Sequence, residues 1–357
     1  MLECDALVVG GGPAGSACAR ALRQAGWDVA VMDRARFPRD KVCAGWLTTH
    51  VLQALELDPD EYRREGLTLQ EITGFQTRVF GQPAVDTRYP GVVSYAIRRC
   101  EFDHFLLRRA GVRVLEGASL TSLRREDGAW TANDLVRAPV VIGAGGHFCP
   151  VARHLRGEDT PVPVVAKEAE FVPDAPSSVE PGVPELLFCR DLEGYAWCVR
   201  KGEYINVGIG RRENHRFAAH VDEFVELLER TGRAPGASRA RWKGHAYLAS
   251  GVGARRLVDD GLVLIGDAAG LAYPESGEGI RPAVESGLLA ARTLATAGRR
   301  PSAADLRPYE VRLRALYPAS RPARGPFAGA AATIGRALLR SRLFTRHVVI
   351  DRWFLRN

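Results

Sequence analysis

Val8-Val9-Gly10-Gly11-Gly12-Pro13-Ala14-Gly15 follows the apolar run Ala6 to Val9 and opens an Ala-rich helical stretch. Gly10 permits the tight turn out of a strand, Gly12 leaves no side chain to block a pyrophosphate, and Gly15 lets the helix pack closely on the sheet. Phosphates then rest on free backbone N–H groups at the positive end of that helix. Gly26 reads as its C-cap and Asp28 to Met32 as the second strand, which ends at Asp33. A carboxylate there accepts from the adenosine ribose hydroxyls and disfavours a 2′-phosphate. Far along the chain, Leu264-Ile265-Gly266-Asp267-Ala268-Ala269-Gly270 with Ser276-Gly277-Glu278-Gly279-Ile280 reads as the other end of the same site. The pairing points to FAD rather than NAD.

At 357 residues and 46% hydrophobic content the chain can bury a large core in two domains. No signal sequence and no run of about 18 apolar residues is read. The seven cysteines are odd in number and include no CxxC pair. A reducing cytoplasm is therefore expected, with neither a zinc site nor a disulfide framework. No nucleic-acid partner is expected, and the oligomeric state is not readable.

The net charge of +7 is uneven, because Arg299 to Asn357 holds thirteen arginines and no lysine against Asp305, Glu310 and Asp351. Ile334, Leu338, Leu339, Val348, Val349, Trp353 and Phe354 recur there at helical spacing among Arg336, Arg340, Arg342 and Arg346. Such a segment either lies on an anionic membrane surface or covers a lipid-like substrate, or else packs on the domain with solvated arginines. Between the two glycine-rich segments, Phe102 to Arg109 reads as a helix and Val112 to Leu115 as a strand. Val140 to Ile142 is an apolar strand ending in Gly143-Ala144-Gly145-Gly146, which suits the cofactor edge of a parallel sheet. From Pro161 to Gly253 the alternating pattern, with Phe188, Tyr195, Trp197, Tyr204 and Val207, reads as an inserted antiparallel sheet.

Together with the fingerprint, four further stretches resemble the geranylgeranyl reductase family of FAD oxidoreductases, within the para-hydroxybenzoate hydroxylase-like group. They are Phe37-Pro38-Arg39-Asp40-Lys41-Val42-Cys43-Ala44-Gly45, Arg99-x-x-Phe102-Asp103, the Gly266–Gly270 and Gly277–Gly287 segments, and Tyr195-Ala196-Trp197-Cys198-Val199-Arg200-Lys201. The last is similar to the family's Y-x-W-x-F-P-K substrate-pocket motif, with Val199-Arg200 in place of Phe-Pro. That exchange could admit a polar or anionic group. Gly145 stands where the hydroxylases carry an aspartate, which weakens the case for an NADPH-driven hydroxylase.

The resemblance implies an α/β fold: a Rossmann-like, glutathione reductase-type FAD-binding domain with an inserted antiparallel-sheet substrate domain and C-terminal helices. The expected division is 1–75, 92–160 and 254–300 for FAD, 76–91 and 161–253 for substrate, and 301–357 for the basic helical segment. Cofactor contacts are expected from Gly10, Gly12, Pro13, Ala14, Gly15, Asp33, Arg34, Arg39, Lys41, Ala44, Gly45, Arg99, Gly143, Ala144, Gly145, Gly266, Asp267, Gly277, Gly279 and Ile280.

Asp267 would accept from the ribityl hydroxyls, and the helix opening at Gly277 to Ile280 would face the ring edge where charge collects on reduction. Cys43 is read as a proton donor or a buried hydrophobe, and Tyr195 and Trp197 as a flat catalytic wall or core packing. Lys201 reads as a surface lysine. The implied activity is reduction of carbon–carbon double bonds in a small hydrophobic isoprenoid-like or polyene substrate, with NADPH, NADH or ferredoxin as electron donor. Two alternatives stay open: an FAD-dependent monooxygenase of a secondary-metabolite or aromatic substrate, and a membrane-associated flavoprotein that is non-catalytic or relays electrons.

Overall fold

The computed structural model describes residues 1–157, 163–212, 215–249, 252–253, 255–319 and 328–356. The chain divides into two compact units. Met1–Asp40, Cys100–Val162 and Tyr247–Arg321 form the first, and Lys41–Arg99, Pro163–Ala246 and Pro322–Asn357 the second. Residues 41–75 fall in the second unit because their strands pair there. Trp46–Thr48 and Leu69–Ile72 flank Ser94–Ile97, and Gly74–Val79 pairs with Glu185–Phe188. The expected edges at residues 160–161 and 254 lie outside the described residues.

In the first unit a six-stranded sheet runs in the order Val258–Asp259, Leu262–Leu264, Val140–Gly143, Ala6–Val9, Val29–Asp33, Arg113–Glu116. Only Val258–Asp259 is antiparallel to its neighbour. The strands Ala6–Val9 and Val140–Gly143 are buried along their whole length, as parallel strands covered on both faces must be. Helix Pro13–Gln24 packs against helix Ile280–Ala297, and the approach leaves no room for a side chain at the crossing. A Cβ on Gly287 would stand 2.4 Å from Ala14 O.

In the second unit a seven-stranded sheet runs Lys243–Tyr247, Val164–Phe171, Tyr204–Arg211, Gly194–Lys201, Glu185–Phe188, Gly74–Val79, Val85–Arg88. The expected antiparallel sheet thus contains one parallel pair, Glu185–Phe188 with Gly74–Val79. Alternation gives its central strands two different faces. Ala169, Ala196, Cys198, Ile205, Val207 and Ile209 form an apolar core with Val221, Phe224 and Leu228 of helix Phe217–Arg230. Tyr195, Trp197, Val199 and Lys201 point the other way, opposite Gly210, Gly208, Asn206 and Tyr204.

The C-terminal residues divide between the two readings of the tail. Val349, Ile350, Phe354 and Leu355 are buried, whereas Ile334, Leu338 and Leu343, nearer the start of the segment, are exposed. Among the described residues no helix is long and apolar enough to cross a membrane.

Gly287→Ala is expected to lower stability by about 1–3 kcal/mol by overpacking the helix crossing. Urea unfolding followed by circular dichroism measures it, and an unchanged midpoint would show that the helices part without cost.

Candidate functional site

In the first unit the glycine turn is fixed by its surroundings. Gly10 has φ of +116°, and a Cβ there would strike Ala144 O at 2.4 Å; a Cβ on Gly15 would lie 1.9 Å from Gly10 O. Asp33 Oδ2 accepts from Gly11 N–H at 2.7 Å and Oδ1 from Ala35 N–H at 2.8 Å, so this carboxylate anchors the turn itself. Gly12 heads helix Pro13–Gln24 with no side-chain cap and no acid in the first turn. Arg39 lies over it, its Nη2 3.4 Å from the place a Cβ would take, and pairs with buried Asp103 at 3.1 Å. An uncapped helix N-terminus beside a guanidinium fits a pyrophosphate.

The second glycine segment meets the first. A Cβ on Gly266 would be 3.0 Å from Ala14 Cβ, and Gly266 N–H donates to Ser286 Oγ at 2.9 Å. Asp267 sits in the short turn Gly266–Ala268, with Oδ1 3.3 Å from where Gly279 would carry a Cβ. Gly279 in turn heads helix Ile280–Ala297, again with no side-chain cap of its own and no acid in the first turn. Gly143 and Gly145 are held by packing, since a Cβ would lie 2.6 Å from Leu264 and 3.3 Å from Cys149 respectively. Arg34 is exposed, and Arg99, which opens helix Arg99–Ala110, is buried.

Lys41, grouped with Arg39 in the sequence reading, belongs to the second unit and faces the His245 ring there. Cys43 is pinned through its backbone: its N–H donates to Glu168 Oε2, and its carbonyl accepts from Asn206 Nδ2 at 3.4 Å. Gly45 N–H donates to Cys43 Sγ at 3.4 Å. Gly45 has φ of +67°, and a Cβ would meet Ile97 O at 2.1 Å and Lys201 Nζ at 2.7 Å. Ala44 between them is half-buried.

Lys201 is not a surface residue. Its side chain is 0% exposed and bonds Glu170 Oε2 at 2.7 Å, while Arg98 Nε holds Glu170 Oε1 at 3.0 Å. Asn206 links the group to the aromatic wall, because its Oδ1 accepts from Trp197 Nε1 at 2.7 Å. Trp197 lies across Gly208, whose Cβ would fall 2.2 Å from the indole. Tyr195 and Trp197 do share a face, with ring centroids 6.1 Å apart, and Phe354 packs edge-on to Tyr195 at 5.4 Å. Trp46 stacks between Phe75 at 4.8 Å and Phe354 at 5.5 Å. Arg200 alternates to the far side and bonds Gly202 O at 3.2 Å, so the Val199-Arg200 exchange adds no charge to the aromatic face.

The family model described as "FAD binding domain" matches residues 3–316. The chain belongs to this FAD-binding family. It is an FAD-dependent oxidoreductase of the geranylgeranyl reductase group, as its relatives also indicate. It is 30% identical to the menaquinone reductase of Mycobacterium tuberculosis, over 75% of this chain and 70% of that one. It is equally 30% identical to digeranylgeranylglycerophospholipid reductase 1 of Methanopyrus kandleri, over 75% and 74%. The crystal structure of a geranylgeranyl bacteriochlorophyll reductase-like protein from Thermoplasma acidophilum superposes with a TM-score of 0.74 at 23% identity, covering 95% of this chain and 88% of that one. That likeness shows the α/β flavoprotein fold.

The sequence assigns no site role to Glu168, Glu170, Asn206 or Trp46, and marks Phe354 only as one apolar position of the tail. The signal for the carboxylates was present: Lys167-Glu168-Ala169-Glu170 in a strand puts both acids on one face. Their environments drive them apart. Burial pushes Glu168 up from 4.5 to about 7 against the pull of Lys201 and the Cys43 N–H. Burial also opposes ionisation of Glu170, but Lys201 and Arg98 overcome it, and its carboxyl stays below the ordinary range.

The raised acid sets the sign of a pH dependence. The folded state binds the Glu168 proton more tightly than the unfolded chain, so stability is lost as pH rises from 4.5 to about 7. The stability of Glu168→Gln relative to the wild type should therefore rise across that window, by about 3 kcal/mol in all. Urea midpoints of both proteins at several pH values test this, and a constant difference would refute it.

Proposed function

We propose that this enzyme reduces carbon–carbon double bonds of a hydrophobic, isoprenoid-like or polyene substrate. The observation that carries the reading is the aromatic face of the second unit, where Tyr195, Trp197, Trp46 and Phe354 adjoin a buried proton-bearing cluster tied to Cys43. Flat rings offer apolar area at low entropic cost, which suits a long alkene chain. The names of the relatives, reductases of menaquinone and of a digeranylgeranyl lipid, fit such a substrate.

On this reading the first unit holds FAD. Gly10, Gly12, Pro13, Ala14 and Gly15 with Arg39 take the pyrophosphate, Asp33 the ribose, and Asp267, Gly277, Gly279 and Ile280 the ribityl chain and ring. Bound FAD, once reduced by NADPH, NADH or ferredoxin, supplies a hydride. The chain's own task is to orient the alkene, exclude water and deliver the matching proton, which falls to Cys43. Anaerobic, dithionite-reduced enzyme mixed with a polyprenyl substrate should reoxidise its flavin and yield a product heavier by two mass units per double bond. A product formed only after oxygen is admitted, and heavier by sixteen, would establish a monooxygenase instead.

The protein is also proposed to work at an anionic membrane surface. Exposed Ile334, Leu338 and Leu343 lie among Arg336, Arg340 and Arg342 on the tail. Sedimentation with phosphatidylserine vesicles should fall steeply between low and high salt. Equal sedimentation with neutral vesicles would overturn this.

A further inference from the structure

Glu168 and Glu170 stand two residues apart on one face of strand Val164–Phe171. The charged and titratable side chains around them come from three other elements: Lys201 at the end of strand Gly194–Lys201, Arg98 after strand Ser94–Ile97, and the Cys43 thiol from the loop before Trp46. Lys41 of that loop is engaged with His245. Both cations sit on Glu170, at 2.7 and 3.0 Å. Glu168 is 6% exposed and is met instead by the Cys43 N–H and by the Asn206 amide. A buried and a half-buried carboxyl thus share one site, with the ion pairs spent on the half-buried member. Such pairs divide into one ionised and one proton-bearing group.

We propose that Glu168 holds, behind Cys43, the proton that completes saturation of the substrate double bond. The proposal rests on the reductase reading given above. Hydride adds to one alkene carbon, the π pair moves to the other carbon, and that carbon takes the proton of the Cys43 thiol as the second C–H bond forms. The thiolate, which Gly45 N–H faces at 3.4 Å, recovers its proton from the Glu168 carboxyl, and the carboxylate is reprotonated by water. The flavin is oxidised by two electrons and the alkene reduced by two. Glu168 touches neither substrate nor cofactor in this scheme. It sets the protonation state of the residue that does.

The test is steady-state saturation of a polyprenyl substrate under anaerobic conditions with excess dithionite, as a function of pH, so that Cys43 must regain its proton on every turnover. In the wild type the rate should fall about tenfold per pH unit above about 7, where Glu168 ionises. Glu168→Gln should keep its FAD and its substrate affinity, lose that limb, and be slower by about a hundredfold at pH 6. Glu168→Asp, which retains a carboxyl, should restore a falling limb at a displaced pH. Infrared difference spectra of the holoenzyme, needing no substrate, should show a carboxyl C=O band that disappears between pH 6 and 8 and is missing from Glu168→Gln. A Glu168→Gln enzyme with the wild-type rate and limb, or a wild type with no such band, overturns the proposal and leaves the reductase reading intact. A wild type that saturates no double bond overturns both.

Discussion

Everything in the first unit depends on how closely one helix can approach its neighbours. Pro13–Gln24 is pressed against the strand turn at Gly15 and against a second helix at Gly287, each at a distance that no side chain could share, and against the Gly266 turn at Ala14, where a Cβ would be crowded at 3.0 Å. Those contacts bring two segments from opposite ends of the chain to one point. They also leave two helix N-termini in the same unit, one uncapped at Gly12 and one at Gly279, where Glu278 Oε1 accepts from the Arg281 N–H at 2.7 Å. The dipoles of those helices favour negative charge, and the cofactor of this family brings a pyrophosphate and a ring that gains charge on reduction.

The glycine-based architecture was legible in the sequence because its cause is local. A missing Cβ is written in the residue itself, so the parts assigned to Gly10 and Gly15 in the turn and packing match the contacts they make. Asp33 shows the limit of that legibility. Its position at the strand end was plain, but its bonds to Gly11 and Ala35 depend on where the turn folds back. Lys201 shows a larger limit. A lysine at the end of a strand reads as solvated, and only the register between two strands reveals that it lies opposite Tyr204 and beside Glu170. Phe354 was legible as one apolar position in a helical pattern, while its contact with Tyr195 joins residues far apart in sequence.

The tail illustrates how one compositional signal can conceal two roles. Arginine excess and apolar periodicity run through the whole segment, yet the last turns bury Val349, Ile350 and Phe354, and Tyr89 donates to Asp351. The earlier helix keeps Ile334 and Leu338 in solvent. Hydrophobic periodicity reports that a face is apolar, not what covers it.

The two-faced sheet carries one further consequence, for folding rather than catalysis. Side chains alternate strictly along Val164–Phe171, Gly194–Lys201 and Tyr204–Arg211, so a slip of one residue would turn every one of them over. Glu168, Glu170 and Lys201 would then enter the core beneath helix Phe217–Arg230 without their partners, while Ile205, Val207 and Ile209 would leave it. An uncompensated buried charge costs about 3–5 kcal/mol. The charged cluster therefore acts as a lock on strand alignment, making mispaired versions of this sheet unprofitable before any ligand arrives.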